Sequence, residues 1–188
     1  MRILMLGNSF TTKNDLPSLL AQLTQSEVVA HARGGARLSE HLNPNTKMGE
    51  RTQEALQTEK WNYVVLQEMS NAPIKSKEKF LSTVEKLCKQ IRENGAEPVL
   101  FATWAYEQDS KQLKKLSMDH DEMDKKMFEA YHEAAKINDC LIANVGKAFY
   151  ENSKSIDLYA EDGCHPNEQG SELAANMIAS VILDHHNK

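Results

Sequence analysis

The sequence predicts an α/β fold: a single domain over residues 1–188, with a five-stranded, mostly parallel sheet covered by helices on both faces in a three-layer α/β/α sandwich. Three observations carry this prediction. Short apolar runs alternate with amphipathic helical patterns, in the order strand, helix, strand, helices, strand, helix, strand, helix, strand, helix. A run such as Tyr63-Val64-Val65-Leu66 is apolar throughout, as a strand covered on both faces should be. No repeat, low-complexity tract or linker breaks the pattern, and 188 residues suit one domain with a substantial core.

The elements follow in order. Ile3 to Leu6 forms the first strand, which stops at Gly7. Leu16, Leu19, Leu20 and Leu23 recur at helical spacing and predict a helix from about Asp15. Asn14 or Asp15 is its cap, and Pro17 suits its first turn. Glu27 to Ala32 is the second strand, ending at Arg33-Gly34-Gly35. Helical pieces around Leu38 to Leu42 and Gly49 to Thr58 are separated by Asn43-Pro44-Asn45. The third strand is Tyr63 to Leu66, followed by a loop from Gln67 to Lys75. Phe80, Val84, Leu87, Cys88 and Ile91 then mark a long helix that stops at Asn94-Gly95. Pro98 to Thr103 is the fourth strand. The segment from Trp104 to Asp119 has no clean period and is long for a connection, a property often tied to function. Met123, Met127, Tyr131, Ala134 and Ile137 define another helical face, and Cys140 to Val145 the fifth strand. A polar stretch leads to Asp162-Gly163-Cys164-His165. Pro166 then opens the last helix, whose stripe is Gly170, Leu173, Ala174, Met177, Ile178, Val181 and Ile182.

Composition excludes several function classes. A net charge of −5 and a pI near 5.8 give no reason to expect a nucleic-acid partner. No apolar run approaches the roughly 18 residues of a membrane span, and Met1-Arg2 runs straight into the first strand with no room for a leader. Three cysteines, Cys88, Cys140 and Cys164, lack CxxC spacing, which favours a reducing compartment. The expectation is a cytoplasmic protein with no membrane partner. His31, His41, His120, His132, His185 and His186 lack a paired ligand pattern, so no metal is expected, and no cofactor is needed. Oligomeric state is not set by the sequence.

In open α/β sheets the site lies beyond the carboxyl ends of the strands. Ser9, Gly34, Gly35, the Gln67-to-Asn71 loop and Trp104 all fall just after strands. Serine is a poor nucleophile at neutral pH and needs a base. His165 is the best candidate, and Asp162 could orient its imidazole across a tight turn at Gly163. Each residue also has a plain structural reading. Ser9 could close its turn as a helix cap, and His165 could pack against the start of the last helix. Gly34-Gly35 is either a flexible turn or a source of backbone N–H groups for an oxyanion. Asn71 is a loop residue or an amide donor, and Gln67 competes for the donor role. Trp104 and Tyr106 either shape the site or cover the sheet edge. Neither a GxxxxGK[ST] loop nor a GxGxxG run follows any strand, and the Gly-x-Ser-x-Gly elbow of α/β-hydrolases is absent around Ser9.

These residues resemble the blocks of the SGNH (GDSL-type) hydrolase family. The family opens with a strand ending in Gly-Asp-Ser, and this chain has Gly7-Asn8-Ser9. Its second block is a glycine after the second strand, matched by Gly34 or Gly35. Its third is Gly-x-Asn-Asp after the third strand, where this chain has Met69-Ser70-Asn71-Ala72 and keeps only the asparagine. Its last is Asp-x-x-His before the final helix, matched by Asp162-Gly163-Cys164-His165. The resemblance implies a flavodoxin-like strand order and a Ser9-His165-Asp162 triad. It also implies an oxyanion hole from the N–H groups of Ser9 and Gly34 or Gly35, with an amide from Asn71 or Gln67. The expected activity is a serine esterase acting on a small-molecule acyl ester, with an O-acetylated carbohydrate as one such substrate. A non-catalytic small-ligand binding module and an acyltransferase on the same fold are the competing readings.

Overall fold

The computed structural model describes residues 1–188. Its sheet is built from β1 (Arg2–Gly7), β2 (Glu27–Ala32), β3 (Tyr63–Leu66), β4 (Glu97–Phe101) and β5 (Leu141–Ala143). All pairings are parallel, and the order is β2-β1-β3-β4-β5. The chain moves outward from β1 to β2, then crosses back to place β3 on the other side of β1. The carboxyl ends of β1 and β3 therefore flank the switch point, the place where such sheets bind ligands. Ser9 follows one of these ends and Asn71 the other.

The helices are α1 (Ser9–Thr12), α2 (Leu16–Thr24), α3 (Leu38–His41), α4 (Lys47–Thr58), α5 (Ala72–Lys75), α6 (Lys77–Asn94), α7 (Lys111–Lys114), α8 (His120–Asn138), α9 (Val145–Asn152) and α10 (Glu168–His186). Packing of α2 on α10 and of α6 on α8 clothes the sheet. The central strands are buried along nearly their whole length, as their unbroken apolar runs require: Ile3 to Leu6, Val64 to Leu66 and Val99 to Phe101 have no exposed surface. Helix ends follow their local chemistry. Asp119 accepts from the Glu122 N–H at 2.8 Å, Asn167 from the Gly170 N–H at 2.9 Å, and Gly95 closes α6 with φ +91°.

Two expectations need correction. Leu23 and Ile137 complete apolar stripes in the sequence but are exposed, because each lies near the end of its helix, beyond the reach of the sheet. The helix expected from about Asp15 is α2, with Asp15 at its cap position and Pro17 in its first turn; the short α1 precedes it, and Asn14 and Asp15 both turn left-handed between the two (φ +51° and +52°). The fifth strand stops at Ala143, and Val145 starts α9, a helix hidden in what reads as a polar stretch. Trp104, which the sequence leaves between shaping the site and covering the sheet edge, is fully buried. No helix is long and apolar enough to cross a membrane.

Candidate active site

β1 ends at Gly7, whose lack of a Cβ is essential. A Cβ there would lie 2.2 Å from Thr11 Oγ1 and 2.7 Å from Gln67 Oε1. The chain then turns directly into α1. Asn8 caps it: its side-chain oxygen accepts from the Phe10 N–H at 3.0 Å, and its amide donates to the Ala36 carbonyl at 3.1 Å. That second bond fastens the nucleophile turn to the segment after β2. The aspartate of the family pattern has no N–H to make it; asparagine does.

Gln67 completes the support. It is almost wholly buried, and its amide oxygen accepts from the Asn8 N–H at 2.9 Å and from Thr11 Oγ1 at 3.0 Å. Its amide nitrogen donates to the Glu68 carbonyl at 2.5 Å. Gln67 is thus engaged at both ends beneath the turn and supports it. The Asn71 side chain is not used to cap α5. The Ser9 N–H lies in the first turn of α1, where backbone donors have no intrahelical acceptor.

The loop after β2 is a four-residue turn closed by the Ala36 N–H donating to the Arg33 carbonyl at 3.1 Å. Gly35 sits at its third position with φ +70°, a conformation that favours glycine. Gly34 and Gly35 are exposed, and their N–H groups donate to no group of the chain. Glu68, which the sequence reading passed over, ties this loop to the next. Its buried carboxylate accepts from the Met69 N–H at 2.7 Å and the Leu38 N–H at 3.3 Å. Burial pushes its carboxyl above the ordinary range, although those two bonds and nearby Arg37 and Lys79 act the other way.

The segment before α10 brings the remaining groups. His165 Nε2 lies 2.9 Å from Ser9 Oγ, and His165 Nδ1 lies 2.5 Å from Asp162 Oδ2. The other carboxylate oxygen of Asp162 accepts from the N–H groups of Cys164 and His165 at 3.0 and 2.9 Å. Burial alone would raise the Asp162 pKa. The hydrogen bonds from the His165 ring and from the His165 and Cys164 N–H groups outweigh it and hold the carboxyl below its ordinary value. The turn needs Gly163, which has φ +64°; a Cβ would lie 2.5 Å from the Cβ of Ser110. Burial first, and then the Asp162 carboxylate, push the Cys164 thiol up to about 12.

Of the residues singled out from the sequence, Ser9, His165 and Asp162 form one continuous hydrogen-bonded chain. Such a chain can deliver a serine hydroxyl as a nucleophile, since the imidazole can take its proton and the carboxylate can hold the resulting cation. No group of three or more His, Cys, Asp or Glu side chains has the arrangement of a metal site.

Comparison with solved structures places the chain among proteins of this architecture. It is similar to a protein from Slackia heliotrinireducens assigned to the SGNH hydrolases, with 47% identity, TM-score 0.94, and coverage of 97% of this chain and 98% of that one. It also superposes on a DUF4886 family protein from Bacteroides uniformis (20% identity, TM-score 0.75, 98% and 83% coverage). A third similar structure is the acetylxylan esterase Axe2 from Geobacillus stearothermophilus (15% identity, TM-score 0.71, 96% and 93% coverage). No family model and no curated protein matches the sequence.

Proposed function

The chain belongs to the SGNH hydrolase family, and on that premise we propose that it is a serine esterase that removes small acyl groups, acetyl above all, from the hydroxyls of a carbohydrate. The observation that carries this reading is the hydrogen-bonded path from Ser9 Oγ through the His165 ring to Asp162. In it, His165 Nδ1–H donates to Asp162, which leaves Nε2 free to accept the Ser9 proton.

Ser9 Oγ attacks the ester carbonyl carbon as its proton passes to His165 Nε2. The imidazolium is paired with Asp162. Negative charge gathers on the carbonyl oxygen, and the N–H groups of Ser9 and of Gly34 or Gly35, with the Asn71 amide, stabilise it. As the tetrahedral species collapses, His165 returns the proton to the departing alcohol. Water then attacks the acyl-Ser9 ester, with His165 again as base, and frees the carboxylic acid.

The surface favours a short acyl group on a hydroxyl-rich alcohol. Surface cavities of about 730, 450, 440 and 320 Å³ are lined by residues other than Ser9. The 440 Å³ cavity borders Asp162 and is lined without hydrophobic residues, by Glu107, Ser110, Gln112 and Glu161 among others. Such a surface offers acceptors and donors to a sugar and little to a fatty chain. An acetylxylan esterase among the structurally similar proteins is in keeping with this choice. We place the enzyme in the cytoplasm on its odd complement of three free thiols.

The test compares hydrolysis of p-nitrophenyl acetate and butyrate, and acetate release from acetylated xylo-oligosaccharides, by wild type and Ser9→Ala. The expected result is turnover by wild type, with acetate preferred to butyrate, and none by the variant. Turnover that survives Ser9→Ala sinks the mechanism. Binding of the oligosaccharide without turnover would mark a binding module, and transfer to an added alcohol an acyltransferase.

A further inference from the structure

His165 belongs to a turn in which every backbone polar group from Cys164 to Pro166 with a proton or lone pair to offer has a partner in the chain. The N–H groups of Cys164 and His165 both donate to Asp162 Oδ1. The His165 carbonyl accepts from the Ala160 N–H at 2.9 Å. The two flanking carbonyls are held by side chains from far away in sequence. The Trp104 indole N–H donates to the Cys164 carbonyl at 3.0 Å, and the Asn14 amide donates to the Pro166 carbonyl at 3.1 Å.

Both donors also belong to the nucleophile's surroundings. Trp104 is fully buried and sandwiched between Phe10 (centroids 4.7 Å apart, planes 14° from parallel) and Phe149 (4.0 Å, 5°). Phe10 is the residue after Ser9, and its ring meets the His165 ring edge-on at 5.5 Å and 82°. Asn14 stands at the break between α1 and α2, and its amide donates a second bond to the buried Ser171 hydroxyl of α10 at 2.8 Å. Its left-handed backbone (φ +51°) is one that asparagine adopts more readily than most residues. Two independent links therefore run from the Ser9 segment to the backbone on either side of His165, one to the peptide plane that enters it and one to the carbonyl of Pro166, the residue that follows it.

We propose that Trp104 and Asn14 are positioning residues that hold the His165 imidazole in register with Ser9 by clamping the carbonyls before and after it. The inference rests on His165 acting as the base of the proposed esterase. Its physical basis is general. A side chain that must place Nε2 within hydrogen-bond reach of a hydroxyl inherits any rotation of the backbone that carries it and of the residues on either side. Displacements of about 1 Å caused by changes outside the reacting groups can cost on the order of a hundredfold in rate. Neither residue touches substrate in this scheme; each acts through His165.

Trp104→Phe keeps an aromatic ring in the stack and removes the donor. Asn14→Gly keeps a residue suited to the left-handed backbone at an exposed position and removes the other donor. With p-nitrophenyl acetate, kcat is expected to fall by about tenfold or more in each variant while KM changes little. In an Asp162→Asn background, where the imidazole has already lost its orienting carboxylate, Trp104→Phe should cost a much smaller factor. Long-range 1H–15N spectra of the histidine rings give a readout that needs no turnover: the His165 ring signals should be sharp in wild type and exchange-broadened in both variants. Thermal unfolding monitors the folded fraction, and if Trp104→Phe does not fold, Asn14→Gly decides. Unchanged kcat and unchanged His165 signals in the folded variants would overturn the proposal. So would an equal loss from Trp104→Phe with and without the Asp162 carboxylate, which would mean that the indole acts on the fold at large. A wild type that hydrolyses no ester overturns the esterase reading instead, and the spectra then decide the clamp alone.

Discussion

His165 Nε2 and Ser9 Oγ meet at 2.9 Å although the two residues are 156 positions apart in the chain. The sheet makes this possible. β1 delivers Ser9 to the switch point, and the segment before α10 returns the chain to the same edge. If the pair works as a unit, Ser9→Ala and His165→Ala should each lower kcat for p-nitrophenyl acetate by several orders of magnitude, and the double variant should lose little more. Additive losses in the three kinetic measurements would show that the residues do not cooperate.

Asn71 and Gln67, the two candidates for the oxyanion amide, are expected to separate by experiment. Asn71→Ala should reduce kcat by about a hundredfold or more with KM nearly unchanged, the signature of a lost oxyanion donor. Gln67→Leu should act first on stability. It removes the acceptor of the buried Asn8 N–H, and an unsatisfied buried donor costs about 1–3 kcal/mol. Urea unfolding together with steady-state kinetics on both variants checks the division of roles. A Gln67→Leu enzyme of native stability with a crippled kcat would reverse it.

Gly7→Ala is expected to damage the same turn from below. The new methyl would sit 2.2 Å from Thr11 Oγ1 and 2.7 Å from Gln67 Oε1, two buried groups already bonded to each other. Gln67 cannot swing away without freeing the Asn8 N–H, and Thr11 cannot without losing its own bond to Gln67. Overpacking of this kind costs about 1–3 kcal/mol. A shift of the urea midpoint to lower concentration at unchanged slope is the expected result, and a native midpoint would show that the turn yields freely.

Much of this site is legible in the sequence because its residues lie directly after apolar runs. Ser9, Gly34 and Gly35 need only the strand pattern to place them at one edge, Asn71 needs the family resemblance as well, and Asp162 and His165 share a single turn. The roles of Trp104, Glu68 and Asn14 are not legible, because they depend on partners that the fold supplies. The Trp104 N–H finds a carbonyl 60 residues away, and Asn14 reaches across 152. α9 escapes for a different reason. Its apolar positions, Val145, Ala148 and Phe149, are too few to establish a period, and Val145 reads as the end of the preceding strand. Leu23 and Ile137 mislead because a helical stripe does not reveal where the helix outruns the sheet.

A buried pair of histidines should make stability sensitive to mild acid. His31 at the end of β2 and His41 in α3 both place Nδ1 against the Thr52 hydroxyl, at 3.2 and 2.9 Å. One hydroxyl can donate to only one of them, so the other must donate to it, and the two rings hold opposite tautomers. His41 Nε2 is buried without a partner. The cheaper assignment has His41 Nδ1–H donating to Thr52, which leaves a bare acceptor at Nε2 and not an orphaned N–H. Burial lowers both pKa values to about 4, helped at His31 by Arg51 and at His41 by His31 and Arg33. The unfolded chain takes up these protons near the ordinary value of about 6.5, and the folded chain only near 4. The contribution of the neutral rings is therefore complete above pH 6.5 and is lost as pH falls from there through 4, by a few kcal/mol in all. Glu68, whose pKa is raised by burial, acts in the opposite sense, so the comparison must be with a variant and not with wild type alone. Thermal midpoints of wild type and His31→Gln/His41→Gln, measured from pH 7.5 to 4.5, should show a steeper fall in wild type. Parallel curves would mean that the histidines do not titrate as buried groups.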